Sequence, residues 1–201
     1  MTGTLPQTLR SDARDNRERI LAAARDVFAR DGLDVPMREI ARRAGVGPAT
    51  LYRRFPTKEA LVTEAFAERM AACTAIVEAG LADPDPWRGL SRVIEDVCTL
   101  HAQDRGFTAA FMAEFPKAID FAAAREHSLR LVAELLRRAK AAGDLRPDIE
   151  LPDIMLVIMA NGGLRATTPT AAAAASRRFA SLILDSFRAP PPAPHIVSTT
   201  R

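Results

Sequence analysis

Thr50, Tyr52, Arg53 and Arg54 put a hydroxyl, a phenol and two guanidinium groups on one short stretch, behind Pro48 and Ala49 and ahead of Lys58. Small side chains let a partner approach, a hydroxyl or methyl meets a base edge, and guanidinium groups reach guanine or phosphate oxygens. Such a surface can read duplex DNA, although a solvated helix face uses the same residue types. A second set, Cys98, His101 and Asp104, lies at i, i+3 and i+6. These are the groups of cysteine–histidine catalysis, which also needs an oriented base and an oxyanion hole. One helix cannot supply them, no Gly-rich elbow is nearby, and an enzyme is not expected. His101 and His127 lack a third ligand, so neither a metal nor another cofactor is expected.

The elements that must hold the first set are legible around it. Met37, Ile40, Ala41 and Ala44 fall at i, i+3, i+4 and i+7, one face of a helix. Gly45 stops that helix in a conformation that a Cβ would disfavour. Gly47-Pro48 opens a second helix, with proline near the first position, where no N–H is needed. Leu51 and Phe55 turn inward with Val46, leaving Ala49, Thr50, Tyr52, Arg53 and Arg54 mainly outside. Two short helices around a glycine turn form a helix-turn-helix. A preceding helix, Ala13 to Asp31, carries Ile20, Ala24, Val27 and Phe28 as the third wall of a small core, with Gly32 as its stop.

The stretch Met37 to Leu61, above all AGVGPATLYRRFPTKEAL, resembles the DNA-binding domain of TetR-family transcriptional regulators. Ile40, Ala41, Ala44, Gly45, Val46, Thr50, Leu51, Tyr52, Phe55, Lys58 and Leu61 carry the likeness. With the preceding helix it covers roughly a quarter to a third of the chain. The chain departs from the family pattern at Pro36, where a Ser or Thr usually caps the first motif helix and pairs with a Glu such as Glu39. The resemblance implies phosphate contacts for Arg38, Tyr52 and Lys58. Thr50 and Arg53 are assigned to base edges, Pro48 and Ala49 to shape and thymine-methyl contact, and Arg54 is left open. The resemblance also implies a homodimer joined by the last two long helices, and a small-molecule effector pocket in the larger domain.

Charge follows the same division. Residues 1–58 hold 12 Lys and Arg against 7 Asp and Glu, while residues 59–201 hold 16 against 18. The basic excess lies with the motif, as a nucleic-acid-facing part requires. Hydrophobic residues make up 48% and aromatics only 5%, with abundant alanine, which favours helices packed through small residues. No apolar run reaches the length of a membrane span, and the N-terminus lacks an export signal. Cys73 and Cys98 sit in helical patterns and are expected as reduced core thiols of a cytoplasmic protein.

The rest of the chain reads as helices and turns. A disordered arm, 1–12, is expected before the DNA-binding domain, 13–58. A helical effector-binding and dimerisation domain, 59–188, and a disordered tail, 189–201, follow. Thr57 is an N-cap for a helix running to about Gly80, on the order of 30 Å long, which passes from one domain into the other. Asp85 and Pro86 start the next helix, and Arg105-Gly106 interrupt it. A short helix with Phe107, Phe111 and Phe115 ends at Pro116, and a long one runs from Lys117 to Ala142. An unusually apolar helix opens at Pro152 and must be buried on more than one side. The last helix runs from Ala171 to about Arg188. The fold class is all-α, with about nine helices.

Candidate effector-lining residues are Trp87, Ile94, Cys98, His101, Phe107, Phe111, Phe115, His127, Met155, Met159 and Asn161. Aromatic and Met side chains with a few polar groups suit a small-molecule cavity, and equally an ordinary core. No charged cluster stands among them, which favours an apolar or aromatic effector. The expected function is a homodimeric repressor that leaves a palindromic double-stranded operator when a small molecule binds. Two recognition helices would sit one DNA turn apart, ~34–36 Å. The alternatives are an activator or ligand-independent regulator, and a helical interaction module whose basic hairpin meets an acidic partner. No membrane partner is expected.

Overall fold

The computed structural model describes residues 5–112, 119–164 and 166–190. Among these residues the chain forms nine helices and no strand: α1 (Leu5–Asp31), α2 (Met37–Arg43), α3 (Pro48–Arg54), α4 (Lys58–Ala82), α5 (Pro86–Gln103), α6 (Arg105–Met112), α7 (Ile119–Ala141), α8 (Leu151–Gly162) and α9 (Pro169–Phe187). The all-α expectation holds.

The helix ends follow local chemistry. Gly32 and Gly45 stop α1 and α2 at φ of 81° and 65°. After α2 the N–H of Val46 donates to the Ala41 carbonyl at 3.0 Å and that of Gly45 to the Arg42 carbonyl at 3.2 Å, the paired closure of a Schellman turn. The hydroxyl of Thr57 accepts from Ala60 N at 3.1 Å, and Asp85 accepts from Arg88 N at 3.0 Å, so both expected caps are present. Pro36 precedes α2 with no side-chain cap, and Glu39 turns to Arg42 instead.

Several boundaries differ from the sequence reading. The first helix begins at Leu5 rather than Ala13, so 5–12 is helical and not a disordered arm. Pro6 falls in the first turn, where its missing N–H breaks no helical bond. The interruption before α6 shrinks to Asp104, whose carboxylate accepts from Phe107 N at 2.9 Å and starts α6 at once. The apolar helix begins at Leu151 on a capping box of Glu150 and Asp153, and α9 begins at Pro169, with Thr168 as its cap. Residues 1–4, Phe115, Pro116, Lys117 and the tail from 191 lie outside the described residues.

Helices α1 to α3 pack around Ile20, Val27, Ile40, Leu51 and Phe55, all buried. Helix α5 is the centre of the larger domain, packed by α4, α7, α8 and α9. Two close backbone contacts fix the arrangement. Gly80 near the end of α4 and Gly89 on α5 touch so closely that a Cβ on Gly89 would fall on the Gly80 carbonyl, and one on Gly80 would fall on Val93. Gly106 on α6 rests against the backbone of Ala29 on α1.

Candidate nucleic-acid interface and effector cavity

Helix α3 has one buried side chain, Leu51, and Phe55 closes the core just beyond its end. Pro48, Ala49, Tyr52, Arg53 and Arg54 are exposed, and Thr50 is half-buried. Tyr52 leaves 49% of its surface in water. Arg38 is exposed on α2.

The ion pairs sort the guanidinium groups. Arg42 donates to Glu39 at 2.9 Å, and Arg43 lies 3.6 Å from Asp26. Hydrogen bonds from Arg42 hold the Glu39 carboxyl below the usual carboxylate range. Among the described residues, Arg38, Arg53 and Arg54 meet no carboxylate.

Lys58 stands differently. Its ammonium donates to the Leu33 carbonyl at 2.9 Å and is half-buried, tying the start of α4 to the turn between α1 and α2. Two further links clamp α1 to α4: Arg17 with Glu64, and Arg25 to the Ala65 carbonyl at 3.3 Å. Helix α3 is thus carried on a frame that α4 helps to hold.

Between α4, α5, α7 and α8 lies a cavity of about 30 Å³ lined almost wholly by apolar side chains. Of the candidates taken from the sequence, Ile94, Cys98 and Phe111 line it. Cys73 and Val77 of α4, Ser128 and Val132 of α7, and Ile154 and Ile158 of α8 complete most of the wall. None of these six stood out by type, because a wall is set by which helix faces meet.

The other candidates lie elsewhere. Trp87 sits at the start of α5 under the Arg188 guanidinium, 5.1 Å from ring centre to carbon. His127 points outward, 3.8 Å from Glu78. Met155 is half-buried off the wall. Met159 is 52% exposed and borders a separate open groove of about 470 Å³ between the end of α1, α6 and α8. His101, Phe107 and Asn161 are fully buried just beyond the cavity.

Cys98, His101 and Asp104 do separate jobs. Burial pushes the Cys98 thiol up to about 12 and that of Cys73 to about 11, the reverse of an activated nucleophile. Asp104 starts α6 and faces Arg69 at 3.5 Å. The His101 ring stacks beside Phe107 at 4.8 Å and edge-on to Phe111 at 5.1 Å, with Nδ1 3.0 Å from the Thr108 hydroxyl. Rings also step from Phe28 on α1 to Phe66 on α4, 6.1 Å apart. A second 6.1 Å step reaches Phe107 on α6, and Phe111 at the cavity wall lies 5.9 Å further on.

An exposed recognition helix with unpaired arginines, carried on a larger helical domain, defines a DNA-binding protein of the helix-turn-helix class. Residues 20–65 match bacterial regulatory proteins of the tetR family, and residues 85–189 match the C-terminal domain of SbtR-like transcriptional regulators. The chain belongs to the TetR family of transcriptional regulators. It is 27% identical over 152 residues to the HTH-type transcriptional regulator UidR of Escherichia coli, covering 70% of this chain and 74% of that one. The ketosteroid transcriptional regulator KstR2 of Mycobacterium tuberculosis shares the fold at a TM-score of 0.67 and 18% identity, over 87% of this chain and 95% of that one. SCO3833 of Streptomyces coelicolor does so at 0.67 and 19%, over 84% and 90%. No helix among the described residues is long and apolar enough to cross a membrane.

Proposed function

We propose that this regulator is a homodimeric, ligand-responsive repressor that leaves a palindromic operator in the cytoplasm when a small molecule enters the α4–α5–α7–α8 cavity. One observation carries the reading: α4 belongs to both machines. Its first half holds α1 through Phe66 against Phe28 and through the Ala65 carbonyl, while Cys73 and Val77 further along are cavity wall. A cavity of about 30 Å³ is far below the ~150 Å³ that a benzene-sized guest occupies, so an effector must push its walls apart. Release follows only if the effector binds the spread arrangement more tightly than the DNA-bound one.

On the DNA side, Thr50 and Arg53 read base edges while Arg38 and Tyr52 hold phosphates. Pro48 and Ala49 let α3 approach the groove, and Arg54 takes whichever oxygen its exposed position reaches. For the dimer, α8 exposes Leu156 and Met159, and α9 exposes Leu182, at 60%, 52% and 50%. Large apolar side chains so open on two neighbouring helices fit a face covered by a second copy. Two recognition helices on a dyad read two half-sites of a palindrome.

The test is selection of bound duplexes from random DNA, followed by a salt titration of the selected site against a scrambled one. A palindrome with half-sites about one turn apart and a steep salt slope is expected. A non-palindromic preference would sink the dimer, and equal binding of selected and scrambled duplexes would sink specific recognition.

A further inference from the structure

Two buried acceptors next to the cavity are left without a donor. His101 is 0% and Asn161 1% exposed, and among the described residues His101 Nε2 and Asn161 Oδ1 meet no hydrogen-bond partner. Both adjoin the cavity wall. The Asn161 amide donates to the Cys98 carbonyl at 2.7 Å, and the His101 ring packs edge-on against Phe111; Cys98 and Phe111 both line the cavity. A carbonyl only accepts, so this bond fixes the amide with its oxygen left over.

The histidine tautomer follows from Thr108. Its hydroxyl has one proton and two backbone carbonyls in reach, His101 O at 3.0 Å and Asp104 O at 3.1 Å. When the proton goes to either carbonyl, Thr108 Oγ1 receives Nδ1–H, and Nε2 presents a lone pair. The opposite assignment would bury an N–H without an acceptor, the costlier orphan. Burial pushes His101 down to about 4, so the ring is neutral at pH 7. No residue lining the cavity is charged. The Arg125 guanidinium lies 5.5 Å over the Phe111 ring but is not among the lining residues. Its Nε is buried and, among the described residues, also without a hydrogen-bond partner, so an anionic probe is the arm that tests it.

We propose that the effector is an uncharged, mainly apolar alcohol or phenol, whose body fills the cavity and whose one O–H donates, once the wall has spread, to one of the two buried acceptors behind it, His101 Nε2 or Asn161 Oδ1. The inference rests on the cavity being the effector site and adds the chemistry of what enters. A carboxylate would face two lone pairs, and an ammonium would find no counter-charge among the lining residues. A plain hydrocarbon would leave both buried acceptors unsatisfied.

Three probes of similar size test this on the full chain by calorimetric titration: p-cresol, p-xylene and p-toluate. The expected result is that p-cresol binds roughly tenfold more tightly than p-xylene, with no binding of p-toluate. Of His101→Phe and Asn161→Leu, the one that removes the receiving acceptor should bring p-cresol to the p-xylene affinity while leaving p-xylene unchanged; p-cresol binding unmoved by both overturns the polar contact. If either variant fails to fold, the ratio on the unaltered chain still decides. Equal affinity for p-cresol and p-xylene overturns the polar end and leaves the cavity reading standing. Preference for p-toluate overturns the neutral class. No binding of any probe at millimolar concentration removes the cavity as the effector site, and this inference with it.

Discussion

Gly106 on α6 lies so close to Ala29 on α1 that a Cβ added to it would stand 2.9 Å from the Ala29 nitrogen and 3.1 Å from the Phe66 ring. The near neighbour is backbone and cannot rotate away. Gly106→Ala is therefore expected to force α1 from α6 and to cost about 1–3 kcal/mol. Gly47→Ala, at a φ of −68° with open space around it, should change stability by no more than ~0.5 kcal/mol. Thermal unfolding of the two variants measures the difference. Matching melting temperatures would show that the α1–α6 contact tolerates a side chain.

Tyr52 and Arg53 are neighbours with different expected effects. Tyr52→Phe should weaken binding to all duplexes alike, because a phosphate contact carries no sequence information. Arg53→Ala should relax preference at one or two base positions, by ~1–3 kcal/mol. Selection profiles of both variants report this directly. A profile that Arg53→Ala leaves untouched takes Arg53 out of base readout.

Lys58 is expected to act on the frame. Its bond to the Leu33 carbonyl is half-buried, and Lys58→Met should lower the stability of the DNA-binding end by about 1 kcal/mol. The slope of binding against salt should stay as it is. A slope lower by about one counterion would place Lys58 on a phosphate after all.

His101 should make stability fall on mild acidification. Its folded value of about 4 lies below the ~6.5 of an unfolded histidine. Between those limits the unfolded chain binds a proton that the folded chain refuses. Stability is then full above about pH 6.5 and declines as pH drops, with the loss complete below about 4, on the order of 3 kcal/mol in all. Glu134, held at about 2 by hydrogen bonds from Arg137 and then Arg138, contributes above about pH 4.5, and its share is lost at still lower pH. Denaturant unfolding between pH 6.5 and 4.5 therefore isolates the histidine. His101→Phe should flatten the curve there, and an unchanged slope would assign the effect to another group.

What could be read beforehand was what neighbours in sequence decide. Gly45 as a stop and Thr57 and Asp85 as caps depend on a few adjacent residues, and all three stand as expected. The start of α1 was misread because a polar stretch with proline looks like a loose end, whereas a first turn tolerates both. The exposed side of α3 was legible because Leu51 and Phe55 dictate which side turns inward. The cavity was not, since its wall is drawn from five helices, between Cys73 and Ile158. Trp87 and His127 were chosen for side-chain type. Trp87 instead supports the returning end of α9, where Arg188 covers it, and His127 faces water beside Glu78. Lys58 has the charge expected of a phosphate contact, and no motif reveals that one of its three N–H donors goes to a carbonyl 25 residues earlier.

The contact of Gly80 with Gly89 gives α4 a fulcrum. Measured along the helix, Cys73 lies about 10 Å from that point and Lys58 about 33 Å. In the proposed homodimer, a wall pushed outward by 1 Å at the thiol would swing the far tip by about 3 Å, enough to spoil the spacing between two paired reading heads. A bulkier residue at Gly80 or Gly89 would move the pivot and change the gearing without touching either the DNA or the guest.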